Sequence, residues 1–174
     1  MGSKIEARAV AEAARVPTIP GYDASQADAD LAKAAKRIGF PVLIKAAAGG
    51  GGKGIRIVRD AKAFAPALAE ARAEAERSFG DAKVLVERFV ERARHVEVQV
   101  VGDRNGNVID LGTRECSVQR RYQKLLEEAP APNLPDATRE GLRGSARELA
   151  RAMAYDSTGT VEYVVDDETG DYYF

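Results

Sequence analysis

The stretch "PVLIKAAAGGGGKGIRIV", residues 41–58, ends an apolar run with Lys45 and follows it with a glycine-rich loop. Glycines in succession give up backbone entropy and add nothing to a core, so they mark a place where bare backbone must come close to something. Their N–H groups can converge on an anion, and an ammonium beside them supplies the opposite charge. That combination suits a polyphosphate. Further along, Glu87 closes one strand-like run, His95 opens the next, and Glu162 lies among valines and a tyrosine in "TVEYVV". A strand-end carboxylate that follows such a flap can accept from ribose hydroxyls. Taken singly, each of these residues is more often a solvated or structurally satisfied group. By the same measure Arg120, Arg121 and Lys124 of "QRRYQK" more often form a solvated basic face.

The order of residues narrows the type of loop. Gly49, Gly51 and Gly54 satisfy GxGxxG, but a dinucleotide fold needs the third glycine to open a helix, and "IRIVRD" alternates like a strand. A Walker loop needs Gly-Lys followed by Ser or Thr, whereas Lys53 precedes Gly54 and Ala47 stands where the motif should start. In a protein kinase the lysine comes after the glycines, while Lys45 comes before them. A glycine hairpin between two antiparallel strands remains, a flap over phosphates, with the ammonium of Lys45 pointing into a cleft beneath it.

Periodicity supplies the elements that must hold these groups. Residues 1–16 form an amphipathic helix with Ile5, Ala9 and Ala13 on one stripe, 26–37 a second helix, and 61–78 an alanine-rich helix disturbed by Pro66. "PVLIKA", "GIRIV" and "KVLVERF" read as strands, and "HVEVQVV" alternates with Val96, Val98 and Val100 on one face. "DRNGN" is a tight turn into "VIDLGTREC"; a helix over 136–154 carries Leu142, Leu149 and Met153, and strand "TVEYVV" follows. The last run, "GDYYF", follows the turn signal "DDETGD" and reads as a strand of a longer protein.

Composition bounds the partners. The chain has 174 residues, 26 basic and 27 acidic, so no global field draws it to nucleic acid or to an anionic membrane, and any anion site must be local. The single cysteine, Cys116, excludes an internal disulfide, and a small buried thiol is its expected role. No apolar run approaches the roughly 20 residues of a membrane span. Neither a signal peptide nor a myristoylation pattern is present, and the expected compartment is the cytoplasm.

Four blocks together, "IGFPVLIKAAAGGGGKGIRIV", "RHVEVQVVGD", "RECSVQRRYQKLLEEAPAP" and "GTVEYVVD", resemble the ATP-grasp core of biotin carboxylase, the ATP-dependent part of acyl-CoA and pyruvate carboxylases. The resemblance extends to "SKIEARAVAEAARVPTIPG" at the start of the chain. It implies an α+β ATP-grasp fold, with a lead-in helix at 1–16, a lid subdomain at 17–89 carrying the flap, and part of the central subdomain at 90–174. It implies that Lys4 and Lys45 contact the nucleotide phosphates and that Gly51 and Gly52 close over them. Glu87 and Val90 fall at the adenine and ribose hinge, and His95 in the ribose region. Tyr122 stands where many relatives have a histidine that touches ATP. Lys124 matches the lysine assigned to bicarbonate, and Glu162 the first metal-ligating glutamate.

The implied activity is carboxylation of biotin on a carrier domain, through carboxyphosphate, with ATP, bicarbonate and Mg2+ or Mn2+. The implied partners are the biotin carboxyl carrier domain, a carboxyltransferase subunit and, in the parent protein, a second copy. The family's second metal-binding glutamate and its biotin-handling arginine and glutamate do not occur in this sequence, so little or no turnover is expected of the chain alone. The competing readings are another ATP-grasp ligase, such as the carbamoyl phosphate synthetase large subunit, and a nucleotide-binding module without catalysis.

Overall fold

The computed structural model describes residues 4–48, 54–121 and 123–174. Its elements run α1 (Lys4–Ala13), β1 (Gly21–Tyr22), α2 (Asp28–Ile38), β2 (Val42–Ala46), β3 (Arg56–Val58), α3 (Phe64–Phe79) and β4 (Val84–Arg88). They continue with β5 (Ala93–Gly102), β6 (Val108–Arg120), β7 (Gln123–Glu128), α4 (Asp136–Ala152), β8 (Thr158–Asp166) and β9 (Tyr172–Tyr173). The fold is α+β and separates into two compact units, one made of the residues up to Ala7 with Ile19–Phe89, the other of Arg8–Thr18 with Val90–Phe174.

In the first unit four antiparallel strands lie in the order β1-β4-β2-β3. Alternation in "VLIKA" sends Val42, Ile44 and Ala46 to one face. There Val42 and Ile44 meet Val84, Val86 and Val58, under Leu31 of α2 and Leu68 of α3. The opposite phase of β2 carries Lys45. The strands flanking the glycine loop pair as a hairpin, Val42 with Val58 and Ile44 with Arg56, and Ala46 N–H donates to Gly54 O at 3.2 Å. No helix starts after Gly54. That glycine is required: its φ is +71°, and a Cβ there would stand 2.9 Å from the Cβ of Ala46. Pro66 does not disturb α3, because it is the third helical residue, where the N–H has no intrahelical acceptor to lose.

The second unit is built on a five-stranded antiparallel sheet ordered β7-β6-β5-β8-β9. Val96, Val98 and Val100 share a face, as their alternation requires, and pack with Leu142, Ala146 and Leu149 of α4 and with Val161, Tyr163 and Val165 of β8. Tyr172–Tyr173 form β9 beside β8, and Tyr172 and Phe174 meet Tyr163 edge to face. Asp103 makes the β5–β6 turn, its Oδ1 accepting from Asn105 N–H and Asn107 N–H at 2.9 Å each. Gly102 lets the backbone of Tyr155 approach, since a Cβ there would fall 1.8 Å from Tyr155 O.

One element goes beyond the sequence expectation. β6 runs past Cys116 to Arg120 and folds back as β7, Gln119 pairing with Lys124 and Arg120 with Gln123. The polar composition of "SVQRRYQK" hides this hairpin, and register shifts on either side of Val118 break its alternation. Among the described residues no helix is long and apolar enough to cross a membrane.

Candidate functional site

In the first unit, Lys45 of β2 and Glu87 of β4 occupy the face opposite the core. Lys45 is directly paired with Leu85 and Leu43 with Glu87, so the two charged side chains are diagonal neighbours. Their Nζ and Oε2 atoms lie 2.5 Å apart, with side chains 20 % and 12 % exposed. Lys4 joins them at the start of α1, where its backbone N–H donates to Ala47 O at 3.1 Å. Burial, and then the positive charge of Lys45, hold the Lys4 ammonium below the usual lysine range, with Glu87 acting in the opposite sense. Two ammonium groups and one carboxylate thus lie close together beside the β2–β3 hairpin.

In the second unit the polar phase of β5 faces away from α4. Glu97 stands directly beside Arg114 of β6 and Glu162 of β8, in a row across three strands. Glu97 is 1 % exposed, yet it is charged and doubly paired: Arg114 Nη2 donates to its Oε1, and Lys124 Nζ lies 2.5 Å from its Oε2. Lys124 also reaches Glu162 Oε1 at 2.6 Å. Burial alone would raise the Glu97 carboxyl, but the hydrogen bonds and charges of Lys124 and Arg114 outweigh it and hold the group below the ordinary glutamate range. Burial likewise works against the Lys124 ammonium, and the two glutamates outweigh it, pushing its titration upward.

His95 Nε2 points at the same carboxylates, 3.7 Å from Glu162 Oε1 and 4.0 Å from Glu97 Oε2. One atom each from His95, Glu97 and Glu162 lie within 4.8 Å of one another, a spacing a divalent cation could bridge. Carboxylate oxygens are the donors that Mg2+ takes, and Glu162, 54 % exposed, can turn towards such an ion.

The structure therefore groups Lys4, Lys45 and Glu87 in one unit and His95, Lys124 and Glu162 in the other. Val90 belongs to neither group, and its side chain is 6 % exposed. Gly51, Gly52 and Tyr122 lie outside the described residues. Arg120 and Arg121 are exposed. Cys116 is buried, and burial raises its thiol titration, which disfavours a thiolate nucleophile. Glu97, Arg114 and Gln119 were not singled out from sequence. For Glu97 a signal existed: it interrupts three valines in "HVEVQV" on the face that also carries His95, and a strand covered on both sides buries that face too.

A glycine hairpin with lysines beside it, and a second sheet bearing lysine among carboxylates, define an ATP-binding domain of the ATP-grasp class. Residues 3–174 match the family described as the carbamoyl-phosphate synthase L chain, ATP binding domain. The chain is 47 % identical over its whole length to the mitochondrial methylcrotonoyl-CoA carboxylase subunit alpha of Arabidopsis thaliana, and covers 24 % of that protein. It is 48 % identical over 99 % of its length to the mitochondrial propionyl-CoA carboxylase alpha chain of Mus musculus, again covering 24 % of the relative. It superposes on the biotin carboxylase of Campylobacter jejuni, solved as a β,γ-ATP complex, with a TM-score of 0.95 and 46 % identity, covering all of this chain and 39 % of that one. The biotin carboxylase domain dimer of Hydrogenobacter thermophilus 2-oxoglutarate carboxylase, with MgADP, ADP and bicarbonate, gives 0.94 and 43 % identity, covering all of this chain and 38 % of that one. The chain belongs to this family, as the ATP-binding domain of a biotin carboxylase, and spans about a quarter of the length of the curated relatives it matches.

Proposed function

We propose that the parent protein carboxylates biotin on a carrier domain, using ATP, Mg2+ or Mn2+ and bicarbonate, by way of carboxyphosphate. The observation that carries this reading is Lys124, whose ammonium sits between Glu97 and Glu162 at 2.5 and 2.6 Å. A γ-phosphoryl group that leaves ADP for a bicarbonate oxygen brings two anions together. Catalysis of that step consists largely of fixed positive charge and positioning. Lys124 is a cation held in a defined place by buried charge, which suits it to bicarbonate.

The remaining roles follow the same chemistry. Lys4 and Lys45 meet the phosphates, with Gly51 and Gly52 closing over them. Glu87 and Val90 form the adenine and ribose hinge, His95 serves the ribose region and Tyr122 packs beside the nucleotide. Glu162 ligates the metal, which when bound neutralises phosphate charge. The subdomains are the lead-in helix at 1–16, the lid at 17–89 and the partial central subdomain at 90–174. The partners are the biotin carboxyl carrier domain, a carboxyltransferase subunit and a second copy of the parent, the last supported by the dimer named for the Hydrogenobacter relative. We assign the parent to the cytoplasm, where Cys116 stays a thiol, and expect this chain alone to bind nucleotide with little or no turnover.

Bicarbonate-dependent ATP hydrolysis by the full-length parent, stimulated by free biotin, tests the reading. Hydrolysis that ignores biotin would instead favour a ligase of the carbamoyl phosphate synthetase type. For the chain itself, titration with Mg-ATP of wild type and Lys45→Ala separates the phosphate site from a merely structural lysine, since equal affinities would remove Lys45 from it.

A further inference from the structure

His95 is the only histidine of the chain, and both of its ring nitrogens have defined surroundings. Nδ1 lies 3.0 Å from Gln119 Nε2. That same amide nitrogen donates to the carbonyl of Cys116 at 2.8 Å. The second contact settles which end of the amide is which: if the amide were flipped, its oxygen would face the Cys116 carbonyl oxygen, acceptor against acceptor. Gln119 therefore presents N–H to the ring, and Nδ1 can only accept. The proton of the neutral imidazole must then sit on Nε2. That atom is buried, makes no hydrogen bond among the described residues, and points towards Glu162 and Glu97 from 3.7 and 4.0 Å.

We propose that Gln119 is a positioning residue that locks His95 as its Nε2–H tautomer, making the histidine a hydrogen-bond donor in the site and withdrawing it from the ligands open to a metal. The fold builds the lock deliberately. Register shifts on both sides of Val118 re-aim the end of β6, and Gln119 stands directly opposite Lys124 on β7. One hairpin thereby fixes both the ammonium and the imidazole proton. In its neutral form His95 has no lone pair on Nε2, so a hard divalent cation is left with carboxylates, the donors it takes. An Nε2–H donor suits a hydroxyl or phosphate oxygen. That last consequence rests on the function proposed above, whereas the tautomer does not.

The single histidine makes the test direct. Long-range 1H–15N correlation spectra of the 15N-labelled chain, recorded at about pH 8, above the ordinary histidine range, report which ring nitrogen carries the proton. The expected pattern is a protonated, pyrrole-like Nε2 and a pyridine-like Nδ1, unchanged when Mg2+ is added. Gln119→Glu replaces the donor by an acceptor and should move a proton onto Nδ1. Gln119→Met, which offers no polar hydrogen, should shift the Nδ1 resonance to that of a nitrogen without a hydrogen bond. A wild-type ring protonated on Nδ1, loss of the Nε2 proton on adding Mg2+, or ring resonances that neither substitution changes would overturn the proposal. Mg-ATP affinity is read separately: weak binding with the expected tautomer would count against the nucleotide role of His95 and leave the lock standing.

Discussion

The carboxylate of Glu97 and the ammonium of Lys124 are 27 residues apart in sequence and 2.5 Å apart in space. Glu97 is buried to 1 % exposure, and a carboxylate so deep is stable as an anion only if its charge is met. Arg114 and Lys124 meet it from two strands, and Lys124 extends the chain of charge to the exposed Glu162. The positively charged end of this row is thus anchored from inside the sheet.

Removing Lys124 should therefore cost more than removing its exposed partner. Lys124→Met removes one of the two cations that directly contact Glu97 among the described residues, and a buried charge that loses such a partner costs about 1–3 kcal/mol. Glu162→Gln acts on a group 54 % exposed, where an ion pair contributes less than about 1 kcal/mol. Urea denaturation of the two variants checks the order. Equal losses would mean that Glu97 does not depend on Lys124.

The same pairing fixes the response to acid. Glu97 is held below the ordinary glutamate range by Lys124 and Arg114 against the effect of burial. Asp110 is similarly lowered, against burial, by Arg143 and Arg147 of α4; Arg143 Nε stands 2.6 Å from its Oδ1. A depressed carboxyl contributes stability that is complete above its unfolded value, near pH 4 for these groups, and is lost as pH falls through the lower folded value. Stability should be insensitive to these two groups from about pH 5 to 8 and fall steeply below about pH 4. Asp110→Asn should flatten that acid limb, measured as the denaturation midpoint against pH, while lowering stability at neutral pH. An unaltered acid limb would remove Asp110 as a contributor.

Much of this arrangement was legible in the residues. Alternation gave β2, β5 and β8, the helical spacing of Leu142 and Leu149 gave α4, and the alternation of "IRIVRD" after Gly54 gave the hairpin rather than a helix start. What stayed hidden is what periodicity does not encode. β7 lacks an apolar phase because it is the edge strand of the sheet, with Leu125 and Leu126 exposed and register shifts next to Val118. Glu97 looked like an ordinary polar residue of an alternating strand because its partners Arg114 and Lys124 come from strands distant in sequence. Pro66 reads as a disturbance only for a helix that starts at 61; α3 starts at Phe64, which puts Pro66 in its first turn.

Two glycines of the second unit should respond oppositely to the same added methyl. At Gly102 a Cβ would fall 1.8 Å from Tyr155 O, a backbone atom that cannot rotate aside. Gly102→Ala is expected to destabilise the β5–β6 turn region by about 3 kcal/mol or more, as overpacking at its severe end does. Gly144 lies within α4, with nothing within 4 Å of an added Cβ. Gly144→Ala is expected to stabilise by about 0.5–1 kcal/mol, through helix propensity and a less disordered unfolded chain. Thermal denaturation of both variants decides, and a shift of the same sign in both would contradict the description of Gly102.

In the first unit, Glu87 Oε2 lies 2.5 Å from Lys45 Nζ, so under the proposed function the carboxylate competes with phosphate for that ammonium. The two substitutions at this pair therefore separate phosphate binding from sugar recognition. Lys45→Ala removes a charge-assisted contact worth about 1.5–3 kcal/mol, so Mg-ATP should bind about 10- to 100-fold more weakly by calorimetry. Glu87→Gln frees the ammonium and should strengthen binding of inorganic tripolyphosphate, which has no ribose. The same change removes the carboxylate proposed to accept from ribose hydroxyls, so the advantage of ATP over tripolyphosphate should shrink. If Glu87→Gln instead weakened both ligands equally, Glu87 would be holding Lys45 in place for phosphate and its assignment to the ribose would fall.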